Sequence, residues 1–465
     1  MTMRTHLRTR CATLAALAMV LTASCSGSPD TDPQDGGAPD PSAAVTITVG
    51  NMPPEAQAAQ RAEFMRTIEA FQEANPNITV TPEETTYKPA TFNAMLAGGT
   101  MPTVLEVPFT EVQRIVEQKQ VADITDHVAD SEVISELNPV LRKQGVDAEG
   151  RTWAIPWNMY TIGLVYNRAV FEQAGLDPDS PPTTWDEVVE TARTITEKTG
   201  VPGFVMPTAG RNGGWMLTAL NYSFGGTIQD FDGTRATMTL DTEAMTKSLD
   251  LLRRIRWEAD AAGSNFLLEG PDVRNEFAAG RVGMFLGAGD AYNQTVDERG
   301  FNGDDFGIAP LPQAPGGLGT LGGGAIAVIS PKATPNEIAA GIKWVEFNRL
   351  SPYISQERAV AAARARTEDG LSVGAPTVPP VDEQRHAKYL EWVAEYITVD
   401  RERFKDYLAS FETLPVVAEP ARGAGDVYVE LDTIVQGVFT DRDFDAPAAL
   451  EQAATNLDAL LASQE

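Results

Sequence analysis

The run Val45-Thr46-Ile47-Thr48-Val49, then Phe64, Ile68 and Phe71 at helical spacing, then Asn75-Pro76 and Ile78-Thr79-Val80, decides the fold class. Consecutive β-branched residues favour extended backbone. Apolar residues recurring at intervals of four and three put one buried face on a helix, which Asn-Pro then stops. The reading is strand, helix, strand, the unit from which parallel sheets are built. Further short strands are expected at 103–107, 161–166, 282–286, 306–309 and 325–329 with helices between them, so the whole chain reads as α/β. Two helix starts are explicit. Thr184-Trp185-Asp186-Glu187 and Thr334-Pro335-Asn336-Glu337 each set a hydroxyl and a carboxylate three residues apart, as a capping box requires. From about residue 386 the pattern is mostly helical, with Tyr389, Trp392, Val393 and Tyr396 on one face.

The chain has 65 acidic and 36 basic residues among 465, a formal net charge of −29. A field of that sign repels phosphate backbones, which excludes nucleic acid as a partner. At 43% hydrophobic and 22% charged the proportions are those of a globular chain able to bury sizeable cores. Three histidines (His6, His127, His386) and two cysteines (Cys11, Cys25) are too few soft ligands for a zinc or iron site. No metal, no cofactor and no enzymatic activity are expected.

Arg4, Arg8 and Arg10 precede an apolar run over 11–21 and a set of small residues, the pattern of a signal peptide over 1–24. No later stretch reaches the roughly 18 apolar residues of a membrane span. Leu21-Thr22-Ala23-Ser24-Cys25 resembles a bacterial lipobox, with Thr22 standing where an aliphatic residue is preferred. Cys25 is accordingly the expected lipid attachment; ordinary cleavage near Ala23 is the alternative. Residues 25–44, rich in Pro, Gly, Asp and Ser, read as a flexible tether. The chain is thus expected on the extracellular face of a cell membrane, held by its lipid.

Several tempting motifs fail on context. Gly317-Leu318-Gly319-Thr320-Leu321-Gly322 fits a dinucleotide fingerprint, but a proline-rich stretch precedes it and a strand follows, the reverse of what aims amides at a pyrophosphate. Asp441, Asp443 and Asp445 open like a calcium loop, but Ala446 and Gln452 stand where Gly and Glu are needed, so Asp445 reads as a helix cap. Asp230-Phe231-Asp232-Gly233 reads as a hairpin turn. With 65 acids, spacing alone selects no catalytic carboxylate pair.

Five stretches in order resemble the extracellular solute-binding proteins of sugar ABC importers, the family that includes maltose-binding protein. They are Trp153-Ala154-Ile155-Pro156-Trp157-Asn158 through Gly163-Leu164-Val165-Tyr166-Asn167 to Gly175-Leu176; Pro182-Thr183-Thr184-Trp185-Asp186-Glu187; Phe277-Ala278-Ala279-Gly280-Arg281-Val282-Gly283-Met284; Ile308-Ala309-Pro310-Leu311-Pro312; and the glycine run before Ala325 leading to Lys343-Trp344-Val345. The resemblance implies a two-lobe, periplasmic-binding-protein-like fold of type II, with a hinge of crossing segments and a ligand cleft between the lobes. Lobe 1 is expected to comprise 45–158 and 311–355, and lobe 2 159–310 and 356–465. The implied partners are a small carbohydrate and the permease subunits of an ABC transporter, with the receptor itself a monomer.

Sugar sites pair aromatic rings, which stack on C–H faces, with polar groups that hold hydroxyls. On that chemistry Trp157, Asn158 and Tyr160, where the family's chain first crosses between lobes, are the leading candidates. Trp215 in the glycine-rich loop 211–215, Asp290 after Gly287-Ala288-Gly289, Gly323 as a point of close backbone approach, and Glu106 at a strand end complete the set. Trp157 and Trp215 are expected to form a platform, one ring from each side. Trp185, Trp344 and Trp392 follow helical spacing and read as core. A non-sugar solute (polyol, peptide or phosphodiester) remains the alternative ligand, and an exported glycosidase the alternative class.

Overall fold

The computed structural model describes residues 39–232 and 235–463 and arranges them as two α/β bodies. In the first, β1 (Val45–Val49) pairs in parallel with β2 (Ile78–Pro82) and β3 (Val104–Pro108). The strand β4 (Ala154–Thr161) then leads through Ile162 into β5 (Gly163–Asn167) of a second sheet. A hairpin of β6 (Gln229–Phe231) and β7 (Ala236–Met238) follows at the expected turn. β8 (Met284–Gly287) and β9 (Phe306–Pro310) flank β5, both antiparallel to it. The long β10 (Thr320–Ile329) returns to the first sheet, antiparallel to β3 on one edge and to β4 on the other. Finally β11 (Val416–Val417) pairs in parallel with the first two residues of β10.

The second sheet is buried on both faces, which is why β5, β8 and β9 read as continuous apolar runs. On one side of the first sheet the Ala58–Ala74 helix buries Ile68 and Phe71 against Trp344, whose ring meets Phe64 and Phe71 edge-on at 5.8 and 5.4 Å. On the other lie Phe92, Leu105, Ile115 and Val328. In the second body Leu164, Phe204, Leu217 and Leu431 share one core, and Val165, Phe277, Phe306 and Tyr407 the other. Both capping boxes form, at Thr184 with Glu187 and Thr334 with Glu337, and Asp445 caps the last helix.

Three expected boundaries shift. The pairing of β4 with β10 continues to Thr161 opposite Gly322, so the first body does not end at 158. The Gln356–Glu368 and Glu383–Trp392 helices pack with Ser351–Ile354, and Arg385 joins Glu132 and Glu136, so residues after 355 still adhere to the first body. The chain first bonds to the second body through Arg366 and Ser372, both held by Asp297, and enters it fully near Arg401–Phe404, which packs on β9. The end of the tether is docked rather than free: Asp40 N donates to Asn336 Oδ1 at 2.7 Å, and Asn77 Nδ2 donates to the carbonyls of Pro41 and Ala43. The signal peptide and Cys25 lie outside the described residues.

His386 is half-buried beside Tyr389, and burial first, then the Arg401 cation, push its pKa down to about 4. In the unfolded chain an ordinary histidine takes up its proton near pH ~6.5. Its contribution to stability is therefore present above that pH and lost as pH falls from there towards 4. His386→Gln should flatten the dependence of melting temperature on pH between 7 and 4.5; a slope identical to that of the unaltered protein would contradict the assignment.

Candidate functional site

The carboxyl ends of parallel strands are where open α/β sheets present ligand groups. Just past the end of β1, Asn51 adopts a left-handed backbone (φ 62°), and its Oδ1 accepts from Glu106 N at 2.9 Å. Glu106, near the end of β3, accepts from Arg349 Nε (2.8 Å) and Nη2 (2.7 Å) on the same oxygen, Oε1. The Arg349 guanidinium carbon lies 3.9 Å from the centre of the Trp157 ring. Trp157 occupies a β-bulge, since Pro156 pairs with Ile326 and Asn158 with Ala325, leaving Trp157 unpaired. Bulges of this kind re-aim side chains. Its Nε1 is buried with no partner among the described residues, and Asn158 beside it is exposed.

Tyr160 lies three residues further along β4, about 10 Å in extended chain. It pairs with Gly323, where a side chain would run into the Tyr160 ring and push it aside. The ring meets Trp215 edge-on, with centroids 5.7 Å apart and planes at 76°. Tyr160 Oη donates to Glu419 Oε1 at 3.3 Å. Burial raises the Glu419 carboxyl above the ordinary range. Trp215 Nε1 and Tyr428 Oη face that carboxylate closely enough to favour its charged form, but neither completes a hydrogen bond.

Trp215 is held on the first turn of the Asn212–Ser223 helix, not in the loop expected from its glycines. Those glycines serve packing. Asp432 reaches in from the Ala424–Thr440 helix to accept from Arg211 N and Gly214 N, each at 2.7 Å, and a Cβ on Gly214 would lie 2.3 Å from the Tyr428 carbonyl oxygen.

Asp290 precedes the Ala291–Arg299 helix and accepts from Gln294 Nε2 at 3.0 Å. The residue is exposed, yet protein surrounds its carboxyl closely enough that lost hydration raises its pKa, and its charge is felt at Tyr160. Arg274 has its pKa lowered by burial and by Arg299 against the pull of Asp290 and Glu298; its Nε is buried, and among the described residues it has no hydrogen-bond partner and no acid within ion-pair distance.

Of the expected residues, Tyr160 and Trp215 touch, Glu106 and Trp157 are joined through Arg349, and Asp290 lies within electrostatic reach of Tyr160. Two expectations are corrected. Trp157 does not pair with Trp215, because Arg349 covers a face of Trp157 while Trp215 meets Tyr160. Gly323 makes its close approach to Tyr160, so it supports that ring and leaves no gap for a ligand. Glu419, Tyr428, Arg349 and Arg274 were not legible in the sequence. Two concavities, of about 340 and 590 Å³, are lined by none of these aromatic residues, the first by Arg403 and Ser372 among others and the second by Arg211 and Val429 among others. Among the described residues no cluster of His, Cys, Asp or Glu could hold a metal ion.

Two α/β bodies joined by crossing strands, with an aromatic and carboxylate cleft at the junction, define a two-lobe receptor of the periplasmic-binding-protein-like type. The model for the family "Bacterial extracellular solute-binding protein" matches residues 55–347, and the chain belongs to that family. It is 26% identical over 203 residues to the sn-glycerol-3-phosphate-binding periplasmic protein UgpB of Salmonella typhimurium, covering 41% of this chain and 45% of the relative. It is 25% identical over 272 residues to the diacetylchitobiose binding protein DasA of Streptomyces coelicolor, covering 58% and 61%. The matched stretches thus span about half the length of these relatives. Its fold is that of an ABC transporter solute-binding protein from Thermotoga lettingae bound with α-D-tagatose (TM-score 0.66, 20% identity, 90% of this chain and 99% of that one).

Proposed function

We propose that this protein is a lipid-anchored extracellular receptor that captures a small carbohydrate between its lobes and delivers it to the permease of an ABC transporter. The observation that carries the ligand class is the edge-to-face pair of Tyr160 and Trp215 over the Glu419 carboxylate, at the passage between the two bodies. Rings of that kind take the C–H faces of a sugar, and acceptors beside them take its hydroxyls. Asn158 and Asp290 add polar groups around the same opening. The diacetylchitobiose-binding relative and the tagatose-bound neighbour accord with this reading.

A second reading rests on Arg274, a half-buried arginine that among the described residues forms no ion pair and whose Nε has no hydrogen-bond partner. It would suit a phosphate ester, as the glycerol-3-phosphate-binding relative does. A thermal-shift panel separates the two. A ligand that binds only the folded state stabilises by RT ln(1 + [L]/Kd), about 2.7 kcal/mol at a hundredfold excess over Kd. Neutral mono- and oligosaccharides should raise the melting temperature, and sn-glycerol 3-phosphate should not. The opposite pattern would replace the carbohydrate reading with the phosphate one.

The anchor is argued from sequence: the small residues before Cys25 and the Pro, Gly and Asp-rich stretch after it. In the native host Cys25→Ala should move the protein from the membrane fraction to the medium; unchanged retention in the membrane would refute the anchor.

A further inference from the structure

We propose that Glu419 is the specificity-determining residue of the cleft, taking a ligand hydroxyl and so selecting neutral polyhydroxylated solutes over anionic ones. The proposal rests on the carbohydrate reading above and deepens it.

Glu419 is built into place. Tyr222 Oη donates to the Ala418 carbonyl at 2.9 Å, and the Gln229 side chain clasps Arg422, donating to its carbonyl (3.0 Å) and accepting from its N–H (2.9 Å). Both anchors belong to the second body, so the segment carrying Glu419 is pinned on either side of it. Tyr160 reaches it from β4, a strand of the first sheet, so the carboxylate stands between groups from both bodies.

Its hydrogen bonding is unfinished. The contact from Tyr160 is long for an O–H···O bond, which usually closes near 2.7–2.8 Å. Tyr428 is only 7% exposed, yet its Oη has no partner among the described residues, and neither does Trp215 Nε1. Buried polar groups are costly to leave unmatched. Both face the carboxylate and are buried atoms, while the Tyr160, Trp215 and Glu419 residues around them are half-buried.

The charge is also uncompensated. Among the described residues no Lys, Arg or His forms an ion pair with Glu419, and the nearest basic residue in sequence, Arg422, lays its guanidinium 5.0 Å from the centre of the Phe231 ring. A ligand hydroxyl answers every part of this arrangement, because it donates to the carboxylate and accepts from Trp215 Nε1 or Tyr428 Oη. A phosphate dianion or a carboxylate has no proton to donate and brings like charge against a desolvated acid, which is repulsive.

The test titrates maltose, N,N′-diacetylchitobiose, D-tagatose and sn-glycerol 3-phosphate into the full soluble chain by calorimetry, with Glu419→Gln and Tyr428→Phe alongside. Both substitutions nearly conserve shape, and circular dichroism melts verify folding. The sugar that binds the unaltered protein should bind Glu419→Gln about tenfold to a hundredfold more weakly, the range for a hydrogen bond to a charged group. Tyr428→Phe should weaken it less. Affinity in the unaltered protein should also decline as acid protonates Glu419. The groups facing it are Tyr160, Trp215, Tyr222 and Tyr428, all uncharged at these pH values, with Asp290 the other carboxyl felt at Tyr160; the decline should survive Asp290→Asn and vanish in Glu419→Gln. Equal sugar affinity and equal pH profiles in both proteins would overturn this proposal and leave the carbohydrate reading standing. No sugar binding at all, or binding of glycerol 3-phosphate alone, would overturn both.

Discussion

The pairing of β4 with β10 is the interaction on which the rest of the molecule depends. These two antiparallel strands tie the first sheet together and then carry the chain out towards the second, β4 through Ile162 into β5 and β10 back from β9. Their register sets Tyr160 against Gly323, and the absence of a side chain there is what lets the Tyr160 ring lie across the partner strand towards Trp215. A one-residue slip would turn Tyr160 to the opposite face and bring another side chain into its place. The bulge at Trp157 belongs to the same pairing and aligns that ring with Arg349. The crossing between the bodies and the placing of Trp157 and Tyr160 are thus consequences of one strand pair.

What the sequence revealed and what it concealed divide along the range of the interactions. VTITV, the helix spacing of Phe64, Ile68 and Phe71, and the two capping boxes are local signals, and each became the element they specify. Trp215 stood out because it follows glycines with no helical stripe to absorb it, and Tyr160 because the resemblance puts it where the chain first crosses between lobes; the structure brings the two rings together. Glu419 did not stand out. It lies in a short Val-Ala-Glu-Pro stretch among 65 acids, and only Tyr222, Gln229 and Tyr160, all distant in sequence, distinguish it from the others. Arg349 follows the Pro335–Val345 helix and looks like any charged helix end until β4 brings Trp157 beneath it. The glycines at 213 and 214 were read as loop flexibility, whereas they make room for Asp432 and Tyr428 against a helix start.

The two walls of the cleft handle charge in different ways. On the first, Glu106 is neutralised by Arg349, which in turn lies over an aromatic face, a compact and rigid unit. On the second, among the described residues Glu419 and Asp290 have no cation, and Arg274 no acid, within ion-pair distance, although Asp290 and Arg274 feel each other's charge. Groups held in that condition gain most from a ligand that completes their hydrogen bonds. On the carbohydrate reading proposed above, this asymmetry would put recognition on the second wall and at the floor, with the first wall supplying shape.

The central claim is that the junction of the two bodies is a working hinge around a solute. Small-angle X-ray scattering, on the soluble chain with and without a saturating sugar found by the thermal-shift panel, tests it most directly. Closure about the crossing strands brings the bodies together and should lower the radius of gyration. Curves that superpose within error, with binding verified on the same sample, would contradict the account and leave a rigid receptor in its place.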